Sequence, residues 1–434
     1  MTSTTTTTTT TDLRKPAASA GAYPYVVLGV LLVVYILNYL DRQLVAILAE
    51  PIKTDLGLTD TELGLVTGFM FALFYTTFGV PVAWLADRAK RTVIVAAACG
   101  LWSLFTGACG FAGNFVHLAL ARIGVGVGEA GGVPPSYAIL SDYFPPKRRG
   151  LAMGLYSLGI PLGTFLGGAY GAWASTRFGW RGAFMGLAIP GIVLALLLPL
   201  VVREPARGGL DEGDQTAEPA LPLGASIAAF VKSATLVLVT LGCSFSAVVG
   251  YSLQSWSPAF LMRVQGATLQ DVGTWYAPVI GLSVAAGIFG SGWIVDRLGQ
   301  KNPRAYPLVP AAAFVLAFPL YLAAVAAPDW RWTVLLVAIP QGLTFTYLAP
   351  AVAVVQNLVP SSRRSTASAM LLFVLNLLAV GCGPLYVGAV SDWAKPMYGD
   401  ESLRIALYAL VPFFVLGVGC NWAASVAIKK RASS

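Results

Sequence analysis

Asp41, Arg42, Arg122 and Glu129 are ionisable side chains set inside otherwise apolar runs. The first two interrupt Tyr23 to Ala49, and the second two interrupt Phe115 to Tyr143. Both runs exceed the ~20 residues of helix needed to cross a hydrocarbon core. A charge at the centre of a membrane helix costs about 2.5–3.5 kcal/mol, so four cost on the order of 10–14 kcal/mol before pairing. That load points to function, because ionisable residues within spans face water-accessible pathways and mark substrate or proton routes. Two structural ion pairs are the plainer alternative.

The spacing restricts the chemistry. Arg122 and Glu129 are seven residues apart, about 700° of helical rotation and about 10 Å of rise, so they share a face. Asn38 and Asp41 share a face at i, i+3, while Arg42 points about 100° away. Asp41 and Arg42 therefore cannot both meet one partner. Asp41 with Arg122 and Arg42 with Glu129 is one arrangement, and the sequence does not choose it. A carboxylate that meets arginine in one state and a dry wall in another changes its affinity for a proton, which makes Asp41 and Glu129 candidates for proton coupling. Arg42 and Arg122 stay charged and can receive a phosphate or carboxylate in bidentate fashion, with Asn38 beside them as a further ligand-binding candidate.

The elements that must position these groups are helices in a membrane. The chain has 434 residues, 56% hydrophobic and 11% charged, where soluble proteins carry about 25% charge. Apolar runs bounded by turn signals predict twelve helices: 22–49, 60–86, 92–112, 115–143, 149–176, 181–202, 233–262, 269–295, 305–327, 331–359, 365–393 and 402–428. The expected fold class is an all-α polytopic membrane protein. Of the 28 basic residues, 18 fall at the termini and the loops on their side, 7 on the opposite loops and 3 in or beside spans. By the positive-inside rule both termini are cytoplasmic. The net charge of +8 thus reflects topology and calls for no nucleic acid. No Asn-x-Ser/Thr sequon occurs, which favours a bacterial plasma (inner) membrane.

The expected organisation is a disordered cytoplasmic tail over 1–20, with eight threonines from Thr4 to Thr11, then a six-helix half over 21–202. A hydrophilic linker over 203–222, a second six-helix half over 223–428 and a tail over 429–434 follow. Cys99, Cys109, Cys243, Cys382 and Cys420 all lie in apolar segments without paired or metal-type spacing. The single histidine, His117, sits near a helix start. No metal centre, cofactor or nucleophile–base set can be drawn, so an enzyme is not expected. A proton gradient is the expected driving force.

The halves echo one another. Asp142-Tyr-Phe-Pro-Pro-Lys-Arg-Arg-Gly-Leu-Ala aligns with Asn357-Leu-Val-Pro-Ser-Ser-Arg-Arg-Ser-Thr-Ala. Ala83-x-x-x-Asp87-Arg88-x-x-Arg91 aligns with Gly292-x-x-x-Asp296-Arg297-x-Gly299-x-Lys301. Two similar six-helix halves suggest a transporter that rocks about a midplane site. In these loops, and in the Arg122-x-x-x-Gly126-x-Gly128 pattern, the chain resembles the major facilitator superfamily, which implies twelve transmembrane helices in two pseudo-symmetric halves. The first loop copy departs from the family pattern, with Ala83 and Lys90 in place of glycines.

Asn38-Tyr-Leu-Asp41-Arg42, Asp87 to Arg91, Arg122 to Ala130 and Pro145 to Arg149 resemble the spinster-type transporters in particular. That resemblance implies export or redistribution of lysolipids or phosphorylated sphingoid lipids, coupled to protons. Sugar-acid and organic-anion symporters share parts of the same pattern and supply the alternative. The expected partners are membrane lipids and a small amphiphilic or anionic substrate, with the protein itself a monomer.

The second half carries no buried charge pair. Trp256, Tyr347 and Asn376 are its candidate ligand contacts, and an aromatic, apolar wall facing a charged one suits an amphipathic ligand. For gating, Asp87 lies near the starts of helices three and eleven, whose unsatisfied N–H groups attract a carboxylate. Arg88 and Arg91 could add ion pairs. Asp296 and Arg297 would form the equivalent latch with the start of helix five near Arg149. Gly159, Gly163, Gly167 and Gly171 form a smooth stripe, expected to serve as a bearing surface between the halves.

Overall fold

The computed structural model describes residues 21–86, 88–206, 223–299, 301–359 and 364–433. In chain order the crossings are α1 (Tyr23–Ile47), α2 (Asp60–Ala86), α3 (Arg91–Cys109) and α4 (Phe115–Glu129, resuming as Val133–Tyr143). Next come α5 (residues 146–178) and α6 (residues 180–201), α7 (Ala234–Arg263) and α8 (Leu269–Gly299). The last four are α9 (Ala305–Ala326), α10 (Trp330–Thr344, resuming as Leu348–Leu358), α11 (residues 364–398) and α12 (residues 402–433).

Among the described residues nine stretches are long and apolar enough to cross a membrane, and two of these, of 54 and 63 residues, turn back and cross twice. The turns fall at Gly179 (φ 69°) and Gly399 (φ 56°), where a side chain would be strained. With α4, broken at residues 130–132, the crossings number twelve. This is the expected fold class.

Local sequence sets the helix starts. Thr59 with Glu62 opens α2, and Thr268 with Asp271 opens α8, each as a reciprocal capping box. Each helix then passes into a π turn, Leu65–Phe69 and Val272–Tyr276. The breaks in α4 and α10 also correspond. The internal repeat thus reaches beyond the loop motifs. A short helix over Leu223–Lys232, absent from the reading of apolar runs, leads into α7. The expected tail at 1–20 and residues 207–222 of the expected linker lie outside the described residues, and α12 continues through Ser433.

The glycine stripe of α5 packs within the first half, on α1. A methyl at Gly163 would lie 2.7 Å from the Ile36 carbonyl oxygen, and one at Gly167 2.8 Å from that of Leu40. The lack of a side chain at these glycines lets the two backbones approach this closely and the helices interlock. The expected bearing surface between halves is instead made by a neighbour, Gly168, which meets Ala277 of α8, while Gly273 meets Ala172. On the opposite side Gly64 and Gly68 of α2 meet the Pro384 and Val380 carbonyls of α11. These seams lie toward the ends of the helices away from the termini, called here the far face.

Candidate functional site

The four charges of α1 and α4 meet as two buried pairs. Asp41 accepts from Arg122 Nη1 at 2.8 Å and from the Thr106 hydroxyl of α3 at 2.6 Å. Arg122 Nε donates to the Val66 carbonyl at 3.3 Å, presented by the π turn of α2. Both Asp41 and Arg122 are 1% exposed. Arg42 Nε donates to Glu129 Oε2 at 2.8 Å, and Glu129 is fully buried. The other Glu129 oxygen, Oε1, has no hydrogen-bond partner. The arrangement is one of those that the helical spacing left open.

The two arginines differ in what else they reach. The Arg42 guanidinium lies 4.7 Å, 4.9 Å and 5.1 Å from the ring centres of Phe71, Tyr75 and Tyr39, a cation held by aromatic faces. It also lines a central cavity of about 350 Å³ between the halves. Six tyrosines line this cavity: Tyr35, Tyr39, Tyr75 and Tyr137 from the first half, Tyr251 and Tyr347 from the second. Leu348, Val352, Leu372 and Leu375 supply an aliphatic wall, and Asn376 enters from a π turn over Asn376–Cys382. Arg122 is absent from this lining. It reaches only a small adjoining void with Gln43 and Gln254, which bond to each other at 3.0 Å across the halves.

Of the ligand-binding candidates, Arg42, Tyr347 and Asn376 therefore line one cavity, whereas Asn38 and Trp256 do not. Asn38 is 2% exposed, with both amide atoms unpartnered. Trp256 turns away because its indole N–H is committed to the Pro384 carbonyl at 2.9 Å and its ring packs beside Gly388. The other five tyrosines of the lining went unnoticed in the sequence. Tyr35 and Tyr39 stand one turn apart, a signal that was available, but nothing local tells which face of α2, α4 or α7 meets the cavity.

The gating candidates lie at the termini face. Asp87 is outside the described residues. Arg88 stacks over Trp84 at 3.9 Å, and Arg297 stacks over Trp293 at 4.0 Å, each one turn along its own helix. Arg149 Nε donates to the Ser141 and Phe144 carbonyls, closing the end of α4. Asp296 is exposed. Arg91 pairs with Asp142 of the first half at 2.6 Å and with Glu204 at the start of the linker at 3.1 Å.

Further polar ties between the halves lie at the far face, where no latch was expected. Arg263 of α7 grips Asp60 at the start of α2 with two bonds of 2.7 and 2.8 Å, and also holds Glu50. Lys53 and Ser391 add to the fully buried Asp60. Asp392 of α11 accepts from the Asp60 and Thr61 backbone N–H groups at 3.0 and 2.7 Å, and from the Thr61 hydroxyl at 2.6 Å. The far face is closed by this network. Among the described residues no group of His, Cys, Asp and Glu could hold a metal, and all five cysteines are free thiols.

Comparison with known proteins agrees with this architecture. Residues 31–384 match the family model of the Major Facilitator Superfamily. An MFS-type efflux pump of Mycolicibacterium smegmatis is 35% identical over 412 residues, covering 94% of both chains. Protein spinster homolog 1 of Homo sapiens is 31% identical, covering 91% of this chain and 79% of that protein. A hexuronate transporter of Bacillus subtilis is 27% identical over 373 residues, covering 82% of this chain and 85% of that protein. The crystal structure of a bacterial homologue of the human lysosomal transporter spinster, inward-facing and unoccupied, superposes with a TM-score of 0.85 at 30% identity, covering 94% of this chain and 98% of that one. With two six-helix halves around a central cavity and a family match that spans most of its length, the chain belongs to the major facilitator superfamily, as a spinster-like membrane transporter.

Proposed function

We propose that the chain is a proton-coupled secondary transporter of an anionic amphiphile, such as a lysolipid or a phosphorylated sphingoid lipid, working as a monomer by alternating access. The observation that carries this reading is Arg42, which faces the central cavity while bonded to Glu129 behind it. An arriving phosphate or carboxylate competes with Glu129 for the same guanidinium. Removing the partner of a buried charge costs about 3–5 kcal/mol, and Glu129 escapes that cost by taking up a proton. Ligand and proton are then linked through one arginine. The aliphatic wall of the second half would seat the tail.

The basic residues gathered in the loops on the termini side support cytoplasmic termini in a bacterial inner membrane. Sugar acids are the second reading, favoured by the tyrosine hydroxyls of the lining and by the likeness to a hexuronate transporter.

Counterflow into proteoliposomes, measured across a lysolipid series with a short sugar acid as competitor, separates the two. Each buried methylene is worth about 0.8 kcal/mol, so affinity should rise steeply with chain length. Affinity flat with tail length, with the sugar acid competing at equal concentration, replaces the lipid reading by the organic-anion one.

A further inference from the structure

A second cavity, of about 530 Å³, opens between α5 and α8 on the flank of the molecule toward the far face. Its size falls within the ~300–1,000 Å³ of small-molecule sites. Its lining is graded along the membrane normal. Phe165 and Pro278 mark the deep end, and Arg177, Gln270 and Thr274 mark the end nearest the far face. From Phe165 to Arg177 the helix rises about 18 Å, close to the ~15 Å depth of one leaflet's hydrocarbon. A soluble solute has no use for an apolar slot of that length opening sideways.

Charge and aromatic placement identify the occupant. Arg177 lies over the Trp173 ring at 5.2 Å and pairs with no carboxylate among the described residues. Trp173 and Trp275 are 49% and 59% exposed, as befits residues at a membrane–water interface. A phosphate at that level would meet a guanidinium free to receive it. The seam beside the groove needs such help. Its contacts are Gly168 on Ala277 and Gly273 on Ala172, and among the described residues no hydrogen bond or ion pair joins 161–177 to 269–281. The polar ties of the far face all lie on the α2, α7 and α11 side.

We propose that this groove binds a phospholipid of the far-face leaflet, its phosphate on Arg177 and one acyl chain between α5 and α8, and that the lipid braces the seam lacking polar ties. The site is separate from the central cavity and does not depend on what the transporter carries. The test is native mass spectrometry of the purified full chain released from phosphatidylglycerol nanodiscs. The wild type should retain one more phosphatidylglycerol than Ala169→Trp, whose indole fills the groove. Arg177→Ala should hold that lipid about fivefold more weakly, the effect of one basic residue near a membrane surface. Glycerol phosphate at matched concentration should not displace it. Equal lipid retention in the wild type and Arg177→Ala overturns the proposal even if Ala169→Trp fails to fold. Displacement by glycerol phosphate also overturns it, by reducing the site to an anion contact.

Discussion

Asp392 accepts a hydrogen bond from the backbone N–H of Asp60, 3.0 Å away, so a carboxylate of one half caps a helix of the other. The cap satisfies N–H groups that a helix start leaves unpaired and sits where the helix dipole favours negative charge. Arg263 meanwhile neutralises the Asp60 side chain itself. Opening the far face requires parting all of these. Arg263→Ala leaves Asp60 buried without its main cation, which costs about 3–5 kcal/mol, and should shift the population toward a far-face-open form. Spin labels on the far ends of α2 and α11 should then report longer distances than in the wild type. Unchanged distances would remove the network from the gating cycle.

Glu129→Gln should end proton-driven accumulation while sparing substrate counterflow. The amide keeps the shape but cannot alternate between charged and neutral forms beside Arg42. Uptake assays with and without an imposed pH gradient distinguish the two activities. Gradient-driven uptake at wild-type level in this variant would move the coupling role elsewhere, with Asp41 next in line.

The two arginines should fail differently when truncated. Arg42→Ala removes the cation that faces the cavity, and ligand affinity should fall by about 1.5–3 kcal/mol, roughly ten- to hundredfold. Arg122→Ala leaves Asp41 unpaired in a dry site, so its main loss should be in stability, again about 3–5 kcal/mol. Ligand titration and thermal melting of both variants check the split. Similar affinity losses at unchanged stability would mean that both arginines contact ligand.

Glu204 supplies a pH dependence at the termini face. Partial burial works against its charge, but the Thr92 N–H and hydroxyl, each at 2.9 Å, and Arg91 Nε at 3.1 Å hold its carboxyl below the usual carboxylate range. A folded-state value below the unfolded one stabilises at neutral pH, and that stability is lost as the pH falls through the folded value. The melting temperature of the wild type should exceed that of Glu204→Gln at pH 7. The gap should narrow below the ordinary glutamate value of about 4.3. A gap constant with pH would show that the carboxylate charge contributes nothing.

Much of this was legible in the sequence, for identifiable reasons. Span positions follow from composition, because each crossing must satisfy its backbone internally and shed its charges. The pairing of Asp41 with Arg122 and Arg42 with Glu129 was one solution allowed by 100° per residue. Periodicity does not say which paired arginine faces water. That depends on the aromatic shelf of Phe71 and Tyr75 from α2, which shields Arg122 and leaves Arg42 at the cavity. The far-face network was hidden for another reason. Glu50, Lys53, Asp60, Arg263 and Asp392 read as ordinary loop and end charges, and only the tertiary fold brings residues some 200 to 330 positions apart together.

The interlocking of α5 on α1 has a mechanical corollary. With Gly163 and Gly167 seated against the α1 backbone and α1 riveted to α4 by two ion pairs, these helices cannot slide past one another. Arg42 and Glu129 must travel together as passengers on a single rigid wheel. In the coupling proposed above, the pair would be carried whole from one bath to the other, and an arriving anion, with no sliding of the helices, would part it.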